Sequence, residues 1–489
     1  MSVSRASTVP ASTPPEAAAS GPPAAPAAPR RAGVALAVIL VAQLMFILDA
    51  SVVNVGLPAI RSQLGFSATG LTWVVTAYSV AFGGLLTLGG RAGDLFGRRR
   101  LFLAGIALFT LSSAAAGVAQ TSGQLLAARA VQGLAAACAS PSTLALISTL
   151  FSGERRNRAL SVFSAIIAAG ATLGLLIGGL LVQYASWRWT MFLNVPIGIV
   201  ALLLIPRFVP ETERHPGRLD IAGALTSGLG IAIAVYAFNR AAQHGWSDGV
   251  ALVGFAATAL LVAAFLVNET RVENPLLPLR LFADRARAAS FTAMFLMPAA
   301  MFSVFYFLTL YMQGHGGGML GFSPLRTGAG FVPMTGPLLV VAGLQLAPRI
   351  MQRTGPKPVA VAGGVLAVAG LVWLTALSPG DGYGASLIGP LALIGTGMPF
   401  VMAPMNIAIL TTVGPADAGA AAGALQALQQ SGAALGVAVL TTVATAGGGG
   451  VAGMADGFRV GTGFAALVLL LAAFALRGSV LPRRPSVRG

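Results

Sequence analysis

The chain has 489 residues, of which 56% are hydrophobic and only 9% are charged. A soluble protein of this size needs far more charge at its surface, so the composition excludes an ordinary globular protein. The net charge of +16 would suit a nucleic-acid binder, but the arginines lie between apolar runs and form no basic face. Because apolar runs of about 18 or more residues recur along the chain, we predict an all-α polytopic membrane protein that binds no nucleic acid.

The first residues, 1–32, are rich in Ala, Pro and Ser and show no apolar periodicity. Such a segment cannot bury a core, so we predict a disordered cytoplasmic tail. The pair Arg30–Arg31 directly precedes the first apolar run, which favours an uncleaved helix that enters from the cytoplasm over a signal peptide. We expect residues 478–489 to form a second cytoplasmic tail.

The apolar runs predict fourteen transmembrane helices, at 33–57, 71–90, 101–120, 124–148, 159–183, 190–208, 220–239, 250–267, 288–312, 328–348, 358–377, 385–412, 418–445 and 459–477. With this count, most of the 30 Lys and Arg residues fall on the side of the N-terminus. The positive-inside rule then places both termini in the cytoplasm. Heavy use of Ala, Gly and Arg indicates a bacterial genome of high GC content, so we expect a bacterial cytoplasmic membrane.

An internal repeat divides these helices. The pattern of Arg, five residues, Gly, one residue and a basic residue begins at Arg91 and reappears at Arg349. Such repeats are typical of secondary transporters, whose substrate site lies between the halves. We therefore predict two pseudo-symmetric six-helix bundles, at 33–208 and 288–477, joined by a linker at 209–287 that carries an inserted helix pair.

Two charged residues lie within predicted helices. Asp49 is the only acid deep in a span, and Arg129 is the only base in the same situation. A charge in hydrocarbon costs several kcal/mol, roughly 2.5–3.5 on insertion scales, so both are functional candidates. Their predicted depths are compatible, and an acid that alternates between protonated and ionised forms can couple transport to protons. The alternatives are a fixed structural ion pair and an Asp49 that lies at the outer rim.

Several polar and aromatic residues could line a substrate cavity. Gln426, Gln429 and Gln430 share one face of the thirteenth predicted helix, where they contact either the cavity or a neighbouring helix. Aromatic residues of the ninth helix usually pack or anchor at the interface, but one can contact a ligand. The candidate cavity residues are Asn54, Tyr78, Tyr306, Asn406, Gln426, Gln429 and Gln430.

The charged loop between the second and third predicted helices carries a family resemblance. The pattern Gly90-x3-Asp94-x2-Gly97-Arg98 resembles motif A of the major facilitator superfamily. The resemblance implies that these residues stabilise one access state by bridging helix ends. A carboxylate can sit at a helix N-terminus, and a guanidinium can bind carboxylates or carbonyls. The alternative is that the arginines only set the topology.

Further motifs resemble the branch of 14-helix drug:proton antiporters. The stretch Leu48–Pro58 resembles its first-helix motif, and Phe192-x-Asn194-x-Pro196-x-Gly198 is also typical of it. Arg129-x2-Gln132-Gly133 resembles motif B, to which the family assigns a part in proton transfer. Four glycines of the fifth helix follow motif C, the antiporter motif: Gly170, Gly174, Gly178 and Gly179. The proline that usually follows the central glycine of motif C is replaced by Leu175.

The resemblance implies a transporter that exports hydrophobic or amphiphilic drug-like compounds in exchange for protons. The proton gradient would supply the energy, with no cofactor, and we expect a monomer in the lipid bilayer. An enzyme is disfavoured because His215, His244 and His315 lie far apart in predicted loops and no catalytic, metal or P-loop motif occurs. The alternatives are an uptake permease or uniporter for a small metabolite, which Leu175 slightly favours, and a membrane sensor that transports nothing.

Overall fold

The computed structural model describes residues 29–476 apart from residues 68, 213, 215–218, 273–274 and 414–417. Several predictions fall wholly or largely outside the described residues: the two tails, His215, and the loop between the predicted helices 385–412 and 418–445. The helices are α1 Pro29–Leu64, α2 Thr72–Phe96, α3 Arg98–Gly117, α4 Ser122–Leu150, α5 Gly153–Tyr184, α6 Trp187–Phe192, α7 Asn194–Phe208, α8 Ile221–His244, α9 Gly249–Arg271, α10 Arg285–Gln313, α11 Pro324–Gly330, α12 Val332–Gly343, α13 Leu346–Thr354, α14 Pro356–Leu374, α15 Tyr383–Ser386, α16 Ile388–Thr411, α17 Ala418–Ala446 and α18 Gly450–Ala475.

The all-helical, membrane-spanning class is confirmed. Within the described residues, twelve helices are long and apolar enough to cross a membrane, or thirteen if α11 and α12, which meet at a bend of 43°, form one span. The 32-residue helix α5 contains a shorter apolar stretch, Ala169–Tyr184. The count of fourteen spans therefore stays a prediction.

Two predicted loops are largely helical. The charged segment between the second and third helices reduces to one residue, Gly97, which turns the chain with a φ of 100°. The last helix begins at Gly450, nine residues before the predicted start at position 459. Asp456 and Arg459 lower the local hydropathy, but they form an ion pair one turn apart on α18 and need no loop.

The helices pack in two groups. In the first, α4 packs against α2 and α3, and α1 packs against α5 and α7. In the second, α10 packs against α17 and α18, and α14 packs against α16 and α18. The groups meet where α2 contacts α17, where α5 contacts α11 and α12, and where α1 contacts α10. α8 packs against α2 and α17 beside this junction, and α9 packs against α8.

The loop between α8 and α9 is closed by an ion pair. Arg240 donates two hydrogen bonds to the carboxylate of Asp248, over 3.1 and 3.3 Å. These hydrogen bonds lower the pKa of Asp248 from its ordinary value, and the backbone N–H of Ala251 adds to the effect. Asp248 thereby caps α9 and holds the two helices as a hairpin.

Close backbone contacts fix the position of α4 against α2. A Cβ built on Gly89 would lie 2.1 Å from the carbonyl oxygen of Ala137, and one on Gly133 would lie 2.3 Å from that of Tyr78. Only glycine permits so close an approach of two helices. The contacts set the register of α4, which places Arg129 beside the backbone of α2.

Candidate functional site

Asp49 of α1 and Arg129 of α4 form an ion pair. The Nη1 atom of Arg129 lies 2.5 Å from Oδ2 of Asp49, and the two side chains are only 1% and 0% exposed. The pair is therefore shielded from solvent in this conformation, and Asp49 does not lie at an open rim. A buried pair persists only when its remaining hydrogen-bonding groups are also satisfied.

The second oxygen of Asp49 is held by two amides. Oδ1 accepts hydrogen bonds from Nδ2 of Asn194, at 2.8 Å, and from Nε2 of Gln132, at 3.2 Å. Both amides also contact Oγ of Ser113, at 3.3 and 2.7 Å respectively. The carboxylate thus joins α1 directly to α4 and α7, and Ser113 links the two amides to α3.

Arg129 is satisfied from three directions. Its Nε donates to the carbonyl oxygen of Val74 at 3.0 Å, and its Nη1 donates to Oε1 of Gln132 at 2.9 Å. Its guanidinium carbon lies 4.7 Å from the ring centroid of Tyr78, which is a cation–π distance. Arg129 therefore has several partners besides Asp49.

Asn194 and Ser113 were given no role by the sequence analysis. Asn194 stood within the Phe192–Gly198 pattern, but an amide has no charge to mark it as costly in a membrane. Ser113 is one of many small hydroxyl residues in the apolar runs. The sequence signal that could have indicated Asn194 is an amide at the start of a strongly apolar helix, since an amide buried there needs a hydrogen-bond partner.

The motif A residues form a second cluster at the turn between α2 and α3. Asp94 and Arg98 form an ion pair at 2.5 Å, on either side of Gly97. Beyond the turn, Oε1 of Glu211 accepts a hydrogen bond from the backbone N–H of Arg99 at 3.0 Å. Glu211 therefore caps α3 and offsets the three arginines of its first turn, which oppose the helix dipole.

Glu211 could not be assigned to this cluster from the sequence, because it lies more than a hundred residues from motif A. Thr212, its neighbour, accepts a hydrogen bond from the N–H of Arg98 at 3.2 Å. The other motif A glycine, Gly90, faces Pro141 of α4, with 3.6 Å between the Pro141 Cβ and a built Cβ. Gly90 therefore has room for a methyl group, unlike Gly89 beside it.

The motif C glycines pack α5 against two partners. Gly170, Gly174 and Gly178 face α1, and a Cβ on each would lie within 2.9 Å of an atom of that helix. Gly179 instead faces α11 of the other group, 2.7 Å from the carbonyl oxygen of Pro324. The carbonyl of Leu175 also lies against α11, at Gly328. α5 thus occupies the junction between the groups.

The predicted cavity residues do not converge on one site. Tyr78 belongs to the ion-pair network, and Asn54 donates to the carbonyl of Ala50 within its own helix. Gln429 donates to Sδ of Met294 at 3.3 Å, and Gln430 packs against Gly83 of α2. The remaining three are a half-buried Gln426, a buried Tyr306 and a half-buried Asn406 whose Oδ1 has no hydrogen-bond partner. Their part in substrate binding stays a prediction.

Within the described residues, no cluster of three or more His, Cys, Asp or Glu side chains could hold a metal ion. The ion-pair network contains one ionisable carboxylate and its cationic partner, held by neutral groups.

A family model described as the Major Facilitator Superfamily matches residues 39–437. The chain is 42% identical over 411 residues to the puromycin resistance protein pur8 of Streptomyces alboniger. This match covers 82% of this chain and 79% of that protein. It is 38% identical over 410 residues to the cephamycin export protein CmcT of Amycolatopsis lactamdurans, with 83% of each chain covered.

The fold is similar to that of solved transporters. A crystal structure of a peptide transporter, POT, in complex with sulfate superposes with a TM-score of 0.66 at 16% sequence identity. The match covers 90% of this chain and 94% of that one. At this identity the likeness concerns the fold alone.

Proposed function

Because the chain belongs to the Major Facilitator Superfamily, we propose that it is a secondary transporter that exports hydrophobic, drug-like compounds in exchange for protons. Support for the substrate class comes from the relatives named for antibiotic resistance or export. Support for the proton comes from the buried pair of Asp49 and Arg129, which is the observation that carries the proposal.

The pair suggests how a proton is coupled to the change of access. When the site faces outward, a proton binds Asp49 and removes its attraction for Arg129, which keeps the Val74 and Gln132 contacts. When the site faces inward, the proton leaves Asp49. The ion pair with Arg129 then re-forms and stabilises the deprotonated state in which the cycle began. The cost of an uncompensated charge in this dry network ties each protonation change to a rearrangement of the helices.

We further propose fourteen spans, with α5 as one of them, and two bundles that rock about the junction of α2 with α17 and of α5 with α11. The end that carries Gly97 would face the cytoplasm, because its loop is rich in arginine. The protein would act as a monomer in a bacterial cytoplasmic membrane. The arrangement resembles the midplane site between repeats that is typical of secondary transporters.

Everted membrane vesicles test the proposal. The vesicles are energised to an inside-acid gradient, and the dissipation of the gradient is followed as antibiotics and dyes are added. We expect some compounds to dissipate the gradient with the native protein and with Asp456→Asn, a control that removes a half-buried acid of α18. Asp49→Asn should abolish the response at equal protein levels.

Leu175 stands where motif C usually has a proline, and this replacement slightly favours the alternative of a uniporter or uptake permease. A uniporter or uptake permease would move labelled substrate down its own gradient regardless of pH. Flux that is unchanged by collapse of the proton gradient, and unchanged in Asp49→Asn, would overturn the antiport proposal in favour of this alternative.

A further inference from the structure

A cavity of about 500 Å³ lies between the two helix groups, at the end away from Gly97. Its walls come from the last turns of α1 and α10, the end of α17 and the start of α18. We call it the Arg61 cavity, after the arginine in the last turn of α1 that lines it. Its volume is in the range of small-molecule sites.

The charge in this cavity has one sign. Arg61 is the one lining residue with a permanent charge, and no lining residue is acidic. Within the described part of the chain, no carboxylate pairs with Arg61. Asp456, two residues from the wall residue Met454, is instead engaged by Arg459. The Arg61 guanidinium is therefore free to bind an anion.

The rest of the lining is amphiphilic. His315, on the loop after α10, is exposed and offers a ring N–H in either protonation state. Thr445 adds a hydroxyl, whereas Phe66, Phe307 and Leu310 form an apolar wall. A ligand that fits this lining has an anionic head beside Arg61 and an apolar body.

A backbone hydrogen bond holds the loop at the rim of the cavity. The loop after α10 turns through Gly316, Gly317 and Gly318, all with positive φ, and the carbonyl of Gly318 accepts a hydrogen bond from Gly380. Deeper in the wall, the amide of Gln313 donates to the carbonyl of Val55 at 2.9 Å and so ties α10 to α1. The cavity is thus built from both helix groups.

We propose that the Arg61 cavity is an external binding site for the anionic head group of an amphiphile, occupied by exported compounds as they leave. The proposal rests on the proposed function for its orientation and for the source of the ligand. It names negatively charged amphiphiles as a substrate class whose release passes Arg61. The same chemistry could come from an anionic lipid, so the test separates the two sources.

The test uses two probes that differ in one group. Anilinonaphthalene sulfonate is an anionic amphiphile, and phenylnaphthylamine is the same molecule without the sulfonate. Fluorescence titrations are made with the full chain in phosphatidylcholine nanodiscs, against empty discs. We expect Arg61→Gln to weaken binding of the sulfonate about tenfold, since unit charges about 4 Å apart at a partly hydrated site interact on that scale. Phenylnaphthylamine binding should not change.

Matched variants guard against general effects of charge and folding. Arg326→Gln removes another exposed arginine at the same end, outside the cavity lining, and should leave both titrations unchanged. Arg61→Lys should retain most of the sulfonate affinity. Equal losses in Arg61→Gln and Arg326→Gln, or no loss in either, would overturn the proposal.

A third set of discs contains phosphatidylglycerol. If the native protein then binds the sulfonate as weakly as Arg61→Gln does, a lipid head group occupies the cavity and the assignment to exported compounds is wrong. Proton-linked transport of an uncharged dye is measured in parallel with the native protein and with Arg326→Gln, which lies outside the cavity lining. A failure of transport in the native protein with the Arg61-dependent binding intact would overturn the proposed function and not the site.

Discussion

The amide of Asn194 lies 2.8 Å from Oδ1 of Asp49, although 145 positions separate the two residues in the chain. The contact joins α7 to α1 at a point where neither side chain reaches solvent, since the two residues are 0% and 1% exposed. Asn194 is therefore a positioning residue, because its hydrogen bond fixes the orientation of the Asp49 carboxylate.

The first prediction concerns this hydrogen bond. Asn194→Leu keeps the side-chain size but removes the donor, and a hydrogen bond to a charged group is worth about 1.5–3 kcal/mol. The Asp49 carboxylate loses this partner and its fixed orientation, so we expect proton-linked transport to fall about tenfold or more at equal protein levels. Transport is measured in the everted vesicles as dissipation of the proton gradient. Asn239→Leu, which removes a buried asparagine of α8 that bonds Thr72, is the control and should leave transport unchanged.

A second prediction concerns the stability of the ion pair. Asp49→Asn leaves Arg129 buried without its counter-charge, which typically costs about 3–5 kcal/mol. Combining Asp49→Asn with Arg129→Gln removes both charges and should restore most of the lost stability. Thermal unfolding of the purified single and double variants measures the stability that each has lost. If the two single losses simply add in the double variant, the pair is not energetically coupled.

Two adjacent glycines should respond differently to the same change. Gly89→Ala places a methyl group on the carbonyl of Ala137, and overpacking of this kind costs about 1–3 kcal/mol or more. Gly90→Ala meets only Pro141 at an ordinary contact distance and should leave the melting temperature nearly unchanged. Gly90→Ala then reports on transport alone. Equal melting temperatures for the two variants would contradict the packing of α2 on α4.

The cap of α3 makes a fourth prediction. Glu211→Gln retains an acceptor for Arg99 but removes the negative charge beside three arginines and a helix N-terminus. We expect a loss of about 0.5–1 kcal/mol at low salt, which shrinks as salt screens the charges. Melting temperatures at two salt concentrations test this, with Asp456→Asn as a control. A loss that is the same at both concentrations would exclude an electrostatic cap.

Much of the fold class could be predicted because hydrocarbon imposes simple rules. Long apolar runs indicate membrane helices, and a charge within such a run is costly wherever the helix packs. Asp49 and Arg129 could therefore be singled out before any helix was placed. The predicted start of the last helix, at position 459, was wrong. Asp456 and Arg459 lower the local hydropathy as loop residues do, whereas in the structure they pair with each other on α18.

The sequence was enough to predict that the chain spans a membrane, where its motifs stand and which two charges lie inside it, because these follow from the local free energy of placing a side chain in lipid. The folded arrangement was needed to find the surroundings of Asp49, which include Asn194, Ser113 and Gln132, and the cap that Glu211 places on α3. These contacts join helices that are far apart in the chain. Their partners depend on the rotation and register of each helix, which close contacts such as that of Gly133 with Tyr78 establish.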